Sequence, residues 1–255
     1  MILSASDLFA KSWGLYRQNF WLFIGYAAWL ILPLAAFMVL STFPKSWLIY
    51  VIIVLASLGE LFIGIWILAT VIITTVQLSE NKTVDSTQTS KKAMLRIQNL
   101  LATSLLQVLI TLGGLILFVI PGLIFSIWYG LSQTIAVITN KRPVEALAHS
   151  KSLVQGRFFP VAWRMMSVPI ALGLIYSVLV GSLISIIAST MGLDPIELVK
   201  GELPIWAEIL ETSGEIIIIP LILIYGTLLY QDLNANPVVL KSKQNDSLEN
   251  TKNVA

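Results

Sequence analysis

The sequence contains no cysteine, a single histidine, His149, and charged side chains at only 12% of its 255 positions. The missing cysteine excludes disulfides, thiol chemistry and Cys-ligated zinc. One histidine leaves no imidazole pair for a zinc site. His149 lies beside Lys151 in a polar stretch, where it reads as a surface residue rather than the base of a Ser–His–acid set. No glycine-rich phosphate loop is present. No cofactor, no metal and no catalytic activity are therefore expected. The net charge of +2 is too small to point to nucleic acid.

What the chain has instead is apolar residues, 56% of the total, with a mean hydropathy of +0.84. Soluble domains carry about a quarter charged residues because their surfaces must be hydrated. Too little polar surface remains here to wrap one. The apolar residues also fall in long runs. Over 97–140 there is no Asp, Glu, Lys, Arg or His. A bilayer core about 30 Å thick needs about 20 helical residues, so that run holds two spans.

The expected fold class is all-α: a polytopic membrane helix bundle of about six transmembrane helices with amphipathic interfacial helices. Three parts follow: an N-terminal amphipathic interfacial helix over 1–19, a six-span membrane domain over 20–233, and a disordered tail over 234–255. The N-terminus lacks the basic region and cleavage site of a signal peptide, so the first span is expected to stay in the mature protein. Ser4-Ala5-Ser6-Asp7 has capping-box spacing. The helix that follows either lies in the interface or extends the first span.

Spans are expected at 20–40, 47–77, 100–120, 122–139, 165–189 and from 205. Pro33 predicts a kink in the first. The second would measure about 46 Å as one helix and is read as a tilted helix projecting from the membrane, with a break near Ser57-Leu58-Gly59-Glu60 as the alternative. The stretch around Lys91, Lys92 and Arg96 predicts another basic interfacial helix. Pro121-Gly122 is a strong turn signal and is assigned as the hairpin turn between spans three and four. A further short helix is expected from Pro143, since proline suits a first helical turn. Residues 191–204 form an acidic loop with Asp194, Glu197 and Glu202.

Orientation follows from lysine and arginine. One side collects Lys11, Arg17, Lys82, Lys91, Lys92, Arg96, Lys141, Arg142, Lys151, Arg157, Arg164, Lys241, Lys243 and Lys252, and the other only Lys45 and Lys200. Both ends are therefore expected in the cytoplasm, which leaves the sequon Asn81-Lys82-Thr83 in the wrong compartment for use.

Three constellations stand out. Lys91, Lys92 and Arg96, with Lys141, Arg142, Lys151 and Arg157, make a positive surface just inside the bilayer. They either set topology alone or contact lipid headgroups, at about 1 kcal/mol each. In span five Gly173, Ser177, Gly181, Ser185 and Ser189 recur every four residues, a face that permits close helix approach. It reads first as packing inside the bundle, then as a homodimer seam or cavity lining. Glu60 and Glu215 are the acids expected at membrane depth, where a lone carboxylate must be protonated, paired or wet. Either they serve a proton or cation path, or Glu60 sits near the outer interface while Glu208, Glu211 and Glu215 share one face of an exposed helix start.

The second half of the chain carries a pattern. Ile120-Pro121-Gly122-Leu123-Ile124 is followed by Glu145-Ala146-Leu147, then Ser150, Leu153 and Gly156, and finally Tyr230-Gln231-Asp232-Leu233. This order, over 85–233, resembles the membrane domain attached to glycerophosphoryl diester phosphodiesterases and its stand-alone bacterial inner-membrane relatives. Those relatives often carry an acid where Asn140-Lys141-Arg142 stands here, and Arg where Asn234 stands. The resemblance implies a fold and an inner-membrane location, not phosphodiesterase activity, since no catalytic barrel is contained in the sequence. Physically, Ala146, Leu147, Ser150, Leu153 and Gly156 read as the packing face and end of a short helix under the bundle. The expected role is a non-enzymatic organiser of membrane lipids, partner membrane proteins or a second copy. The alternative is a transporter or channel component using the intramembrane glutamates.

Overall fold

A computed structural model of the chain describes residues 2–44, 46–194 and 203–237. The expected tail beyond 237, with Lys241, Lys243 and Lys252, lies outside the described residues, as do Lys45, Glu197, Lys200 and Glu202. The described chain is helical from end to end: α1 Ala5–Gln18, α2 Phe20–Ala27, a 3₁₀ turn Ala28–Leu30, α3 Ile31–Ser41, α4 Trp47–Ser79, α5 Ser86–Leu117, α6 Val119–Tyr129, α7 Ser132–Thr139, α8 Pro143–Val154, α9 Phe158–Thr190 and α10 Ile205–Ala235. Six stretches are long and apolar enough to cross a membrane: Phe20–Ser41, α4, α5, Val119–Thr139, α9 and α10. The protein is a multipass membrane helix bundle.

Local chemistry sets the boundaries. Ser4 caps α1, accepting from the Asp7 amide at 3.1 Å, and Asp85 caps α5 through the amides of Thr87 and Gln88. Asn19, at φ −121° and ψ 30°, separates α1 from α2, so α1 is a helix of its own and not an extension of span one. Pro33 has no N–H for the carbonyl of Trp29, and the 3₁₀ turn just before it absorbs the lost bond. The break considered near Ser57-Glu60 does not occur. α4 runs unbroken for 33 residues, with the Ser57 hydroxyl bonded back to the Ile53 carbonyl. Gly156, at φ +82°, ends the short helix α8, as the spacing predicts.

Three expectations are corrected. The basic stretch around Lys91 is not a separate interfacial helix but the first third of α5. The buried positions Thr89, Ala93, Ile97 and Leu100 keep helical spacing straight into the span, and nothing in between breaks it. The reversal between spans three and four is at Phe118, in extended geometry at φ −162° and ψ 154°, not at Pro121-Gly122. Pro121 needs no amide partner in the first turn of α6, and Gly122 packs against α5. A Cβ there would stand 2.4 Å from the Leu115 side chain and 2.9 Å from its backbone nitrogen. The stripe Gly173, Ser177, Gly181, Ser185, Ser189 does not pack inside the bundle. Its last four members are exposed, and a Cβ at Gly173 or Gly181 would meet nothing within 4 Å. The close approach of α9 to α10 is made by Gly214 instead, where a Cβ would meet the Tyr176 ring at 2.5 Å.

Packing is concentrated at one end. Ser79 accepts from Gln231 at 2.9 Å, Gln77 from Thr89 at 3.1 Å, and Asp232 from the Leu3 amide at 3.0 Å. These bonds bring together α1, the end of α4, the start of α5 and the end of α10. The buried clusters centre there: Leu8, Ile135, Val154 and Leu233 in one; Phe23, Val71 and Ile224 in a second; Ile72, Ala93 and Val137 in a third. Towards the opposite end the helices are bordered by few neighbours, and α9 buries only Val161 and Ala188. The described lysines and arginines gather towards the packed end, called the basic end below.

Gly122→Val is expected to lower stability by about 1–3 kcal/mol through overpacking. Pro121→Ala is expected to change it by less than about 0.5 kcal/mol. Thermal unfolding in detergent measures both, and equal losses would return the reversal to the Pro-Gly pair.

Candidate functional site

The seven basic residues singled out from sequence divide into two groups. Arg157 is consumed by the backbone: its Nε donates to the Leu153 carbonyl at 2.8 Å, Nη1 to Asn236 at 2.6 Å and Nη2 to Leu233 at 2.9 Å. It thereby closes the end of α8 and the end of α10, which otherwise leave carbonyls bare. Lys151 lies over the Trp128 ring, 4.4 Å from its centroid. Lys141 bonds to His149 Nδ1 at 3.0 Å, and its carbonyl accepts from Asn99 at 2.6 Å. Lys91, Lys92 and Arg142 are exposed and Arg96 is half-buried. None of these four has a polar partner among the described residues.

His149 is half-buried, not a free surface side chain. Its ring stands edge-on to Tyr230, 6.3 Å between centroids. Burial, then the Lys141 charge, push its pKa below the ordinary histidine value, against a hydrogen bond to the Asn234 side chain that raises it. Burial alone pushes the Tyr16 hydroxyl up to about 12, where it donates to the Ile217 carbonyl at 2.8 Å.

The residues that carry the resemblance are structural here. Ala146, Leu147, Ser150 and Leu153 form the buried face of α8. Ser150 spans the break between α6 and α7, donating to the Trp128 carbonyl at 2.7 Å and accepting from the Leu131 amide at 3.2 Å. Tyr230 and Leu233 are buried in the core, while Gln231 and Asp232 make the contacts to Ser79 and Leu3 already described.

Lys91 opens onto a groove that sequence reasoning did not find. Trp29 and Leu32 of span one, Phe62 and Trp66 of α4, and Lys91 and Met94 of α5 line a volume of about 450 Å³. Trp29 and Trp66 meet edge to face at 5.9 Å, and Tyr26 backs Trp66 at 6.4 Å. Apart from Lys91 and its neighbour Ser90, no lining residue is charged or hydroxylated. The available signal was two tryptophans lying well inside apolar runs rather than at span ends, where interfacial tryptophans belong.

Glu60 on α4 and Glu215 on α10 lie on packed helices, within electrostatic range of each other. Glu60 and Glu211 are the charged neighbours of Glu215, and Tyr176 donates to the Glu211 carbonyl at 2.8 Å. None of these acids has an ion-pair partner among the described residues, where the ion pair present is Lys82–Glu80. Among the described residues no group of three or more His, Asp or Glu has the arrangement of a metal site.

No family model matches the chain, and neither a curated protein nor a solved structure matches it. Function is therefore read from the geometry of the basic end.

The lowered pKa of His149 sets a pH dependence. The unfolded chain binds the proton more readily than the folded one, so stability rises with pH where His149 titrates. The contribution is whole above about pH 6.5 and is lost as pH falls through that value towards the lowered one. Unfolding temperature is expected to fall between pH 7.5 and 5.5, and to fall less in His149→Gln. Identical profiles would show that His149 does not contribute.

Proposed function

We propose that the protein is a non-enzymatic multipass membrane protein that holds anionic lipid at its basic end. The observation that carries this reading is the groove beside Lys91. Its tryptophan and phenylalanine walls offer a hydrocarbon chain a dispersion-rich surface, and its one cation has no polar partner among the described residues. Lys92, adjacent and exposed, adds to the same field. An ammonium near an anionic headgroup is worth about 1 kcal/mol, and neither lysine has a polar partner among the described residues. The lipid contacts are thus narrowed from the seven basic residues to Lys91 and Lys92, with Arg96 and Arg142 as outlying charge. Lys141, Lys151 and Arg157 hold the bundle together.

The gathering of lysine and arginine at one end supports a cytoplasmic basic end in the inner membrane of a bacterium, with both termini inside. The motif order supports kinship with the membrane domains of the phosphodiesterases. The outward-facing stripe on α9 leaves a surface on which a partner membrane protein or a second copy can pack. A second reading, as a transporter or channel component, is favoured by Glu60 and Glu215 lying within electrostatic range on two packed helices. In liposomes it requires a flux that Glu60→Gln with Glu215→Gln abolishes.

Lys91→Ala is expected to weaken the preference for anionic over zwitterionic lipid about fivefold, equivalent to about 1 kcal/mol. Arg157→Ala is expected to leave that preference alone and to lower stability, by about 1.5–3 kcal/mol for each charged hydrogen bond lost. Native mass spectrometry in mild detergent reads the first effect and thermal unfolding the second. An unchanged preference in Lys91→Ala removes the lipid reading.

A further inference from the structure

Span one separates the Lys91 groove from a second one with the same chemistry. The second lies between α1, with the start of α2, and the α9–α10 pair, and encloses about 610 Å³. Trp13, Arg17 and Phe20 form one wall, and Leu172 and Leu179 of α9 with Ile217 of α10 form the other. Its floor is closed where α9 and α10 meet at Gly214. Two tyrosines border it, and both hydroxyls are turned onto backbone carbonyls, Tyr16 onto Ile217 and Tyr176 onto Glu211, each at 2.8 Å. What they show the groove is ring surface.

Arg17 is the one charged residue of the lining. It is exposed and has no hydrogen bond or ion pair among the described residues. The helix that carries it is held in place. The Leu3 amide donates to Asp232, and Arg164 Nε donates to the Leu3 carbonyl at 2.6 Å. The buried face of α1, with Leu8, Ser12 and Tyr16, fixes the rotation of the helix. A guanidinium set at the rim of an apolar groove matches one chemistry in a bilayer: a phosphate whose ester carries hydrocarbon chains, with the phosphate taken by two parallel N–H donors.

We infer that this groove is a second anionic-lipid site, with Arg17 on the headgroup phosphate and an acyl chain along Leu172, Leu179 and Ile217. The inference rests on the reading of the Lys91 groove and extends it: α1 serves as a wall of a binding site as well as an amphipathic attachment.

The test uses the full chain in mild detergent with equal amounts of phosphatidylglycerol and phosphatidylcholine, and native mass spectrometry to count the lipids retained. Two phosphatidylglycerol molecules per chain are expected. Arg17→Ala is expected to leave one, and so is Ile175→Trp, which fills the groove from an exposed position without altering charge. Lys91→Ala is expected to leave one, and Arg17→Ala with Lys91→Ala none. Two lipids retained in both Arg17→Ala and Ile175→Trp would overturn the second site, even if Lys91→Ala loses one. Loss in Arg17→Ala and Ile175→Trp with no loss in Lys91→Ala would uphold this groove and overturn the first. Retention of the two lipids in the ratio supplied would mean annular lipid only and would overturn both.

Discussion

Lipid tails are as apolar as leucine, so apolar side chains gain little by turning from lipid to another helix. Association must come from backbone approach and from polar bonds, and both are gathered at the basic end. Arg157 holds carbonyls of α8 and α10, Arg164 holds the carbonyl of Leu3, Asn99 holds that of Lys141, and Ser150 bridges the gap between α6 and α7. Each of these bonds is partly buried, where a polar group left without a partner costs more than in water. With these bonds at one end, the other halves of the helices need only pairwise contacts. Gly122 supplies one against α5, and Gly214 supplies another against Tyr176.

That distribution is what creates grooves. Helices drawn together at one end and paired loosely at the other leave wedges between the pairs. Such wedges fill with hydrocarbon at no cost in unsatisfied polar groups, because the backbone is already helical. Both wedges have aromatic walls and a cation with no polar partner among the described residues, which ordinary lipid-facing surfaces do not need. A ring wall is stiff and loses little entropy when a chain lies against it. On the proposed reading, the aromatic residues favour a held lipid over a passing one.

The spans, their number and the run of basic residues were legible because they depend on composition over about twenty residues. Long apolar stretches tolerate an error of several residues at either end. Gly156 was legible too, since a positive φ selects glycine locally. The position of the hairpin was not. Pro-Gly is a turn signal in water, but in a helix start proline costs nothing and glycine admits a neighbour, and only Leu115 decides which role applies. The stripe on α9 failed for a related reason. Small residues permit close approach without requiring it, and the partner surface that would use it is not another helix of the described bundle. The grooves were invisible because Trp29, Trp66 and Met94 lie far apart in sequence, and no spacing rule joins them.

Counting basic residues gives topology, but it overstates the electrostatic surface. Positive-inside reasoning treats Lys91 and Arg157 alike, since each resists crossing the bilayer. Their side chains end in opposite situations. The planar fork of Arg157 gives three of its five N–H donors to carbonyls, so its orientation is set by bonds the fold depends on. The ammonium of Lys91 is exposed and has no polar partner among the described residues. Helix ends explain the difference: α8 and α10 finish against each other and leave carbonyls that need a donor, whereas α5 passes Lys91 in mid-helix with every backbone group already paired. A cation beside a helix end is drawn into the fold, and a cation in mid-helix on the membrane face is left for a ligand. By that criterion Arg17, one residue from the end of α1, belongs with the first group. It escapes because Asn19 caps that end itself, donating from both its amide and its side chain to the Leu15 carbonyl. The guanidinium is left at the rim of the groove without a polar partner among the described residues.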